Sequence, residues 1–108
     1  MSYYPITLDK ERNFRYGMKA LSLLEKKFKK PIGEIDMNVL SIDEIATIFW
    51  AGLTHEDAEL TIDKVMDLVD SYSTLGEVLP VMLEAMQGAF GSTIEFAERA
   101  ENENKEKN

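Results

Sequence analysis

The sequence predicts a mainly α-helical protein, a small helical bundle of about four helices with a short N-terminal β-hairpin. Three observations carry this prediction: apolar residues recur at helical spacing in four stretches, Ser or Thr capping patterns precede three of them, and an alternating segment precedes all four. With 108 residues, 44% hydrophobic and 30% charged, the chain has the size and balance of one globular domain. We expect this domain to span residues 1–96, followed by a polar, disordered tail at 97–108.

The hairpin is predicted from residues 4–16, where apolar and polar residues alternate on both sides of a polar turn. The alternating apolar residues are Ile6, Leu8, Phe14 and Tyr16, and the turn is Asp9-Lys10-Glu11. Two strands alone are marginally stable, so this hairpin needs a helix to rest on.

The apolar spacing becomes helical from about Gly17. The first stripe comprises Met18, Ala20, Leu21, Leu24 and Phe28. Pro31 and Gly33 then predict the end of this helix, and residues 31–40 form a connector with apolar residues directed at the core.

The second helix opens at Ser41, with Glu44 three residues later as in a capping box. Its main stripe comprises Ile42, Ile45, Ala46, Phe49 and Leu53. Ile48 and Trp50 lie off that stripe, so the helix is either central to the bundle or offers a second apolar face to another molecule. Gly52 is predicted to end it.

The third and fourth helices are each preceded by a Thr cap. After Thr61 the stripe comprises Ile62, Val65, Met66, Val69 and Tyr72, and after Thr74 it comprises Val78, Leu79, Met82, Met86, Ala89 and Phe90. Pro80 is expected within the first turn of the fourth helix, where its missing N–H costs little.

Charge is distributed unevenly along the chain, whose net charge is −8. Residues 1–30 carry a balance of +5 and the remainder −13. This field disfavours nucleic-acid binding, which depends on Lys and Arg displacing counterions. It favours a basic partner or head-to-tail self-association, or it merely reflects solvated helix faces. The residues expected to carry self-association are Lys26, Lys27, Lys29, Lys30, Asp63, Asp67 and Asp70.

Several classes of chemistry find no support in the sequence. There is no Cys, no phosphate-binding glycine pattern and no nucleophile elbow, and His55, the one His, lies in a short acidic turn typical of a surface residue. We therefore expect a protein that is not an enzyme and holds no cofactor or metal. The start of the chain lacks a secretory pattern and no apolar run would cross a bilayer, so we expect a cytoplasmic protein that binds no membrane.

The helices carry more apolar positions than single core-facing stripes require. The residues expected to contact a client chain are Ile48, Trp50, Met66, Met82, Met86 and Phe90. Methionine is flexible and polarizable, which suits partners of varied sequence. The alternative is that these residues simply fill the core of the bundle.

Over residues 4–90 the sequence resembles the tail assembly chaperones of long-tailed bacteriophages, especially phages of Gram-positive bacteria. The matching features are the strand ITLD at residues 6–9, the entrance FRYG at 14–17, the helix end FWAGL at 49–53 and the run LTIDKV at 60–65. Lys10 is a departure, since the family pattern often has Gly in that turn.

The resemblance implies a non-enzymatic protein that coats the tape measure protein until tail tube subunits polymerise around it. Such a chaperone acts in the host cytoplasm and is absent from the mature virion. Many members of the family also exist in a longer form, made by ribosomal frameshifting, that recruits tube protein. Coating one long client with many copies would require self-association.

A second interpretation belongs to a different class. A small acidic adaptor or regulatory protein would bind a basic partner, or mimic DNA, through carboxylates on one continuous surface. The two hypotheses differ in whether apolar or acidic side chains carry binding.

Overall fold

The computed structural model describes residues 4–89. In chain order the elements are β1 (Tyr4–Thr7), β2 (Glu11–Phe14), α1 (Met18–Phe28), a 3₁₀ turn (Ile32–Glu34), α2 (Ile42–Leu53), α3 (Ile62–Tyr72) and α4 (Leu75–Ala89). Within this range the predicted class, a small four-helix bundle with an N-terminal hairpin, is confirmed. Phe90 and the tail at 97–108 lie outside the described residues.

The hairpin pairs β1 and β2 in antiparallel register, from Tyr4 opposite Phe14 to Thr7 opposite Glu11. It contacts α2 through β2 and α4 through β1, which supplies the helical support that two strands need. The carbonyl of Gly52, near the end of α2, accepts a hydrogen bond of 2.9 Å from the N–H of Arg15. This bond satisfies one of the carbonyls that a helix end leaves without a partner, and it fixes the hairpin at that end of α2.

Helix α1 is only partly buried, through Ala20 and Leu24. Met18, predicted as part of its core stripe, is instead 88% exposed because it is the first residue of the helix and extends past its neighbours. The helix ends at Phe28, before Pro31, and the capping residue Lys29 adopts a left-handed conformation with φ of 57°. The Glu25 carboxylate then accepts a 2.8 Å bond from the N–H of Ile32, which holds the connector against α1.

Helix α2 is the centre of the bundle, the first of the two alternatives left open by its sequence. It contacts α1, α3, α4 and β2, and half of its residues are buried. The predicted capping box is present in both halves: the Glu44 N–H donates to Ser41 Oγ at 3.1 Å, and the Ser41 N–H donates to Glu44 Oε1 at 2.8 Å. Ile42, assigned to its core stripe, is largely exposed because it begins the helix beyond the reach of the packing helices.

Gly52 does not end α2, which continues to Leu53. Its role is close packing, because a Cβ at this position would lie 2.5 Å from Tyr16 Cζ and 2.9 Å from Phe14 Cδ1. Phe14 also meets Phe49 edge to face, with ring centroids 4.6 Å apart. The Tyr16 hydroxyl donates to the Ile48 carbonyl at 2.7 Å, and burial raises the Tyr16 pKa well above its ordinary value.

Helices α3 and α4 start at the predicted Thr caps. Thr61 Oγ1 accepts from the Lys64 N–H at 3.1 Å, and Thr74 Oγ1 accepts from the Glu77 N–H at 3.3 Å. Val65 is the one buried residue of α3, whereas α4 buries Val78, Met82, Ala85 and Met86. The stripe of α3 therefore packs less deeply than its periodicity predicted.

Pro80 lies in the second turn of α4 rather than the first, because the helix already begins at Leu75. Pro80 and Gly76 are both exposed, so the helical bond that Pro80 cannot donate is lost on the solvent side. No helix among residues 4–89 combines the length and apolar character needed to cross a membrane.

Candidate functional site

Three residues predicted to contact a client lie in the core. Ile48, Met82 and Met86 are at most 3% exposed and belong to the central hydrophobic cluster. These three residues fill the core, which is the alternative that the sequence left open, and their contact with a client stays a prediction. Ile48 lies off the main stripe of α2 but is buried because other elements enclose α2 on more than one side. Met82 and Met86 lie on the stripe of α4 itself, which packs against β1, α2 and α3.

Trp50 is half-buried and held from two sides. Its Nε1 donates a 2.9 Å hydrogen bond to the carbonyl of Leu60, just before α3. The Lys27 ammonium of α1 lies 5.5 Å from the ring centroid, within the range of a cation–π interaction. Trp50 thus joins three helices, and its role in client binding stays a prediction.

Met66 is half-buried on α3 and is not among the side chains that pack against the core. It is the predicted client residue whose placement best fits an outward role. Phe90, the sixth predicted residue, lies outside the described residues.

The charged residues predicted to mediate self-association are all exposed. Asp63, Asp67 and Asp70 recur at spacings of four and three residues, which places them along one face of α3. The four lysines lie at and just beyond the end of α1, where Lys27 is also engaged with Trp50. Self-association itself stays a prediction.

The structure reveals a different apolar surface, at the end of the bundle away from the hairpin. We call it the apolar end and define it by Val39 (74% exposed), Ile42 (59%), Tyr72 (58%) and Leu75 (39%). Within the described range, these are four of the five large hydrophobic residues that are exposed. A concentration of exposed apolar side chains is typical of an interaction surface.

Helix directions place these four side chains on the side of the bundle away from the hairpin. The C-terminal ends of α2 and α4 lie at the hairpin, since Gly52 packs against Tyr16 and Gly88 against Tyr4. The helices are about 18 and 22 Å long at 1.5 Å per residue, so their N-terminal residues Ile42 and Leu75 lie well away from the hairpin. Tyr72 and Val39 are each three residues from one of these starts.

Exposed carboxylates lie within two residues in sequence of three residues of the apolar end. Asp43 follows Ile42, Asp70 precedes Tyr72 by two residues, and Glu77 follows Leu75 by two residues, and all three are exposed. Lys64 is the only Lys or Arg between residues 31 and 98. The apolar end therefore lies in a negative field.

The sequence did not predict this surface, because periodicity shows which residues lie on the same face of a helix. It does not show whether another helix or strand packs over that face. Ile42 and Tyr72 were assigned to core stripes, yet they are the first and last residues of their helices. That terminal position was the available signal, since a packing partner covers the middle of a helix more completely than its ends.

The loop between α2 and α3 is clamped to the hairpin by ion pairs. Arg12, buried on β2, donates through Nε and Nη2 to both carboxylate oxygens of Asp9, at 2.9 and 3.0 Å. Its Nη1 donates to Asp57 in the loop at 3.4 Å. One guanidinium thus ties the hairpin turn to the connection between two helices.

Asn13 of β2 and Glu56 of the loop complete the clamp. The Asn13 backbone N–H and side-chain amide donate to the two Glu56 oxygens at 2.9 and 3.0 Å. His55 Nε2 donates to the Asn13 carbonyl at 2.7 Å. The segment containing the one Trp and the one His is therefore a structural junction between helices and hairpin.

We expect acid to weaken this clamp. The hydrogen bond from Arg12 holds the pKa of Asp9 below its ordinary value of 3.8. At Glu56 partial burial raises the pKa, but hydrogen bonds from Asn13 outweigh it and leave the pKa below 4.5. Because both folded-state pKa values lie below the unfolded ones, this stabilisation is complete above about pH 5 and is lost as pH falls through the folded values.

Urea unfolding of the wild type and of Asp9→Asn/Glu56→Gln between pH 7 and pH 3 measures this effect. The difference in unfolding free energy should be largest at pH 7 and should shrink below about pH 4.5. The other carboxylates titrate in both proteins, so their contribution cancels in the difference between wild type and double variant. A difference that stays constant with pH would contradict the assignment of these two groups.

Comparison with known proteins adds no relative: no protein-family model, curated protein or solved structure matches this chain. Within residues 4–89, no group of three or more His, Asp or Glu side chains is arranged to hold a metal ion. Among the surfaces that the described residues offer for interaction are the apolar end and the charged faces of α1 and α3.

Proposed function

We propose that this protein is a tail assembly chaperone of a long-tailed bacteriophage and that the apolar end contacts its client, the tape measure protein. Two independent lines support the proposal. One is the sequence resemblance over residues 4–90, and the other is an exposed apolar surface on a bundle whose described interior is packed and without unpaired buried side-chain polar atoms.

The exposure of the apolar end is the observation that carries the proposal. Fully burying a large apolar side chain contributes about 1.5–3 kcal/mol, so leaving four of them in water forgoes stabilisation of the isolated chain. Binding would recover part of it. Each 1.4 kcal/mol recovered corresponds to about tenfold in affinity. Burying two such residues in the complex is therefore enough to raise the affinity for the client appreciably.

The surroundings of the apolar end define the client's chemistry. An amphipathic helix fits, because its apolar stripe would cover Ile42, Tyr72 and Leu75. Its flanking residues should be Lys or Arg, which complement Asp43, Asp70 and Glu77 around the patch. Met66 on α3 remains a further predicted contact for the client.

Further parts of the proposal follow from the family resemblance. Many copies would coat one client in the host cytoplasm and leave before the virion matures. Neighbouring copies would associate through the lysines after α1 and the aspartates of α3. A longer, frameshifted form would recruit tail tube protein.

A small acidic adaptor that binds a basic partner is the second candidate. The observation that favours it is the exposed face of α3, where Asp63, Asp67 and Asp70 present three carboxylates in a row. An adaptor of this kind would work through charge and would lose binding at high salt.

Co-expression with a tape measure fragment tests both candidates. With the wild type, the fragment should be recovered in the soluble fraction; with Ile42→Ser/Tyr72→Ser, we expect about tenfold less soluble fragment. Both residues are exposed at helix ends, so folding should be preserved, and the melting temperature of the purified variant checks this.

Met18→Ser is the matched control. It removes an apolar side chain that is even more exposed but lies at the hairpin end, so it should leave the fragment soluble. Equal loss with Met18→Ser would contradict a specific apolar end. Loss with Asp63→Asn/Asp67→Asn/Asp70→Asn, but not with Ile42→Ser/Tyr72→Ser, would favour the acidic adaptor.

A further inference from the structure

A groove of about 250 Å³ lies at the hairpin end, between β1, the start of α1 and the end of α4. Six of its lining residues are Tyr4, Met18, Leu21, Ala85, Gly88 and Ala89. The groove is separate from the apolar end, which lies at the opposite ends of α2 and α4.

Small residues give the groove its depth. Ala85, Gly88 and Ala89 present little or no side chain along the last turns of α4. A Cβ added at Gly88 would run into the Tyr4 ring, so the aromatic wall rests directly on helix backbone. Met18 and Leu21 of α1 form the facing apolar wall, and Met18 is almost fully uncovered.

The described part of α4 ends at the rim of this groove. Ala89 is the last described residue of α4 and lines the groove, and the next seven residues in sequence are FGSTIEF. Every large apolar residue after Ala89 falls within these seven, namely Phe90, Ile94 and Phe96, whereas residues 97–108 contain only Ala besides polar residues. Gly91, two residues after Ala89, is a residue type that readily permits a change of chain direction.

We propose that the groove is a docking site for the chain's own segment 90–96, with Ile94 and Phe96 as the side chains that enter it. Ile94 is five residues from Ala89, a reach of up to about 17 Å at 3.3–3.6 Å per residue, and the groove begins at Ala89 itself. A cavity of about 150 Å³ holds a benzene ring, so this groove accommodates one aromatic and one smaller apolar side chain.

Tethering favours this occupant over others. A short linker holds the segment at an effective concentration of about millimolar, so weak apolar contacts suffice to keep it docked. An apolar peptide from another molecule would have to displace the segment first. The docking requires no client and is independent of the proposed function.

Paramagnetic relaxation tests the docking on the full chain. The protein has no Cys, so Ala97→Cys carries a single spin label beside the segment. We expect strong broadening of the signals of Leu21, Ala85 and the Met18 methyl group, with little effect at Val39 and Tyr72 of the apolar end. A label at Asn108→Cys is the matched control and should broaden the groove signals much less.

Ile94→Ser/Phe96→Ser in the labelled chain should abolish the broadening, whereas the conservative Thr93→Ser should retain it. Broadening that survives Ile94→Ser/Phe96→Ser, or that is absent from the groove in the parent, overturns the proposal. Mixing spin-labelled chain with isotope-labelled, spin-free chain identifies a second copy as the occupant if the broadening is intermolecular, and that outcome also overturns it.

Discussion

Gly52→Ala should lower the free energy of unfolding by about 2–3 kcal/mol, although it adds only one methyl group. The added Cβ would lie 2.5 Å from Tyr16 Cζ and 2.6 Å from its hydroxyl oxygen. Neither Tyr16 nor Phe14 can move away cheaply, because both rings are buried in the core. Helix propensity acts in the opposite direction and favours Ala by about 1 kcal/mol, which is smaller than the cost of overpacking.

Displacement of Tyr16 would have a second effect. Its hydroxyl donates to the Ile48 carbonyl inside the protein, where a lost hydrogen bond leaves buried polar groups unpaired. Such a loss costs about 1–3 kcal/mol. The substitution therefore acts on the contact between hairpin and α2 as well as on local packing.

Urea denaturation at neutral pH measures the change, with Gly76→Ala as the matched control. Gly76 is also a helical glycine, but a Cβ there meets no atom within 4 Å, so only propensity acts and the variant should be neutral or more stable by up to about 1 kcal/mol. If Gly52→Ala were as stable as Gly76→Ala, Gly52 would not be the close contact described here.

Local rules predicted the elements of this fold well. The capping box at Ser41, the Thr caps at 61 and 74 and the alternation in residues 4–16 each depend on neighbours in sequence, and the elements begin where these signals lie. Gly52 shows where local rules fail. A glycine near a helix end is typical of a residue that stops the helix. Gly52 is instead required because the rings of Tyr16 and Phe14 pack against it. These rings lie 36 and 38 residues earlier in the chain, so local sequence spacing does not predict the contact.

The candidate surface was harder to predict than the fold, because exposure also depends on contacts between residues that are distant in sequence. Met82 and Met86 follow the helical periodicity of α4 and are buried because β1, α2 and α3 pack against that helix. Ile42 and Tyr72 follow the same periodicity and are exposed because their helices end there. Burial is a property of the whole bundle, so residues with equal patterns reach opposite environments.

Arg12→Met should lower the free energy of unfolding by about 1–3 kcal/mol, the contribution of hydrogen bonds to charged groups. Methionine keeps an apolar stem of similar length, so the change isolates the guanidinium. Arg12 is buried, but the Asp9 and Asp57 side chains are 31% and 32% exposed. Both carboxylates therefore regain water when the guanidinium is removed, which keeps the cost below that of a fully buried ion pair.

Guanidinium geometry gives this prediction its sharpest control. Arg12→Lys keeps the positive charge but cannot donate to both Asp9 oxygens and Asp57 from one planar group, so it should recover less than half of the loss. Lys10→Met, at an exposed position in the same turn, should change stability by less than about 0.5 kcal/mol.

Without the guanidinium the Asp9 pKa should return toward its ordinary value, so Arg12→Met should also lose less stability than the wild type between pH 5 and pH 3. Wild-type stability in Arg12→Met, measured by urea denaturation at pH 7, would mean that desolvation of the guanidinium cancels its pairing. The loop would then be held to the hairpin by the hydrogen bonds of Asn13 with Glu56 and His55.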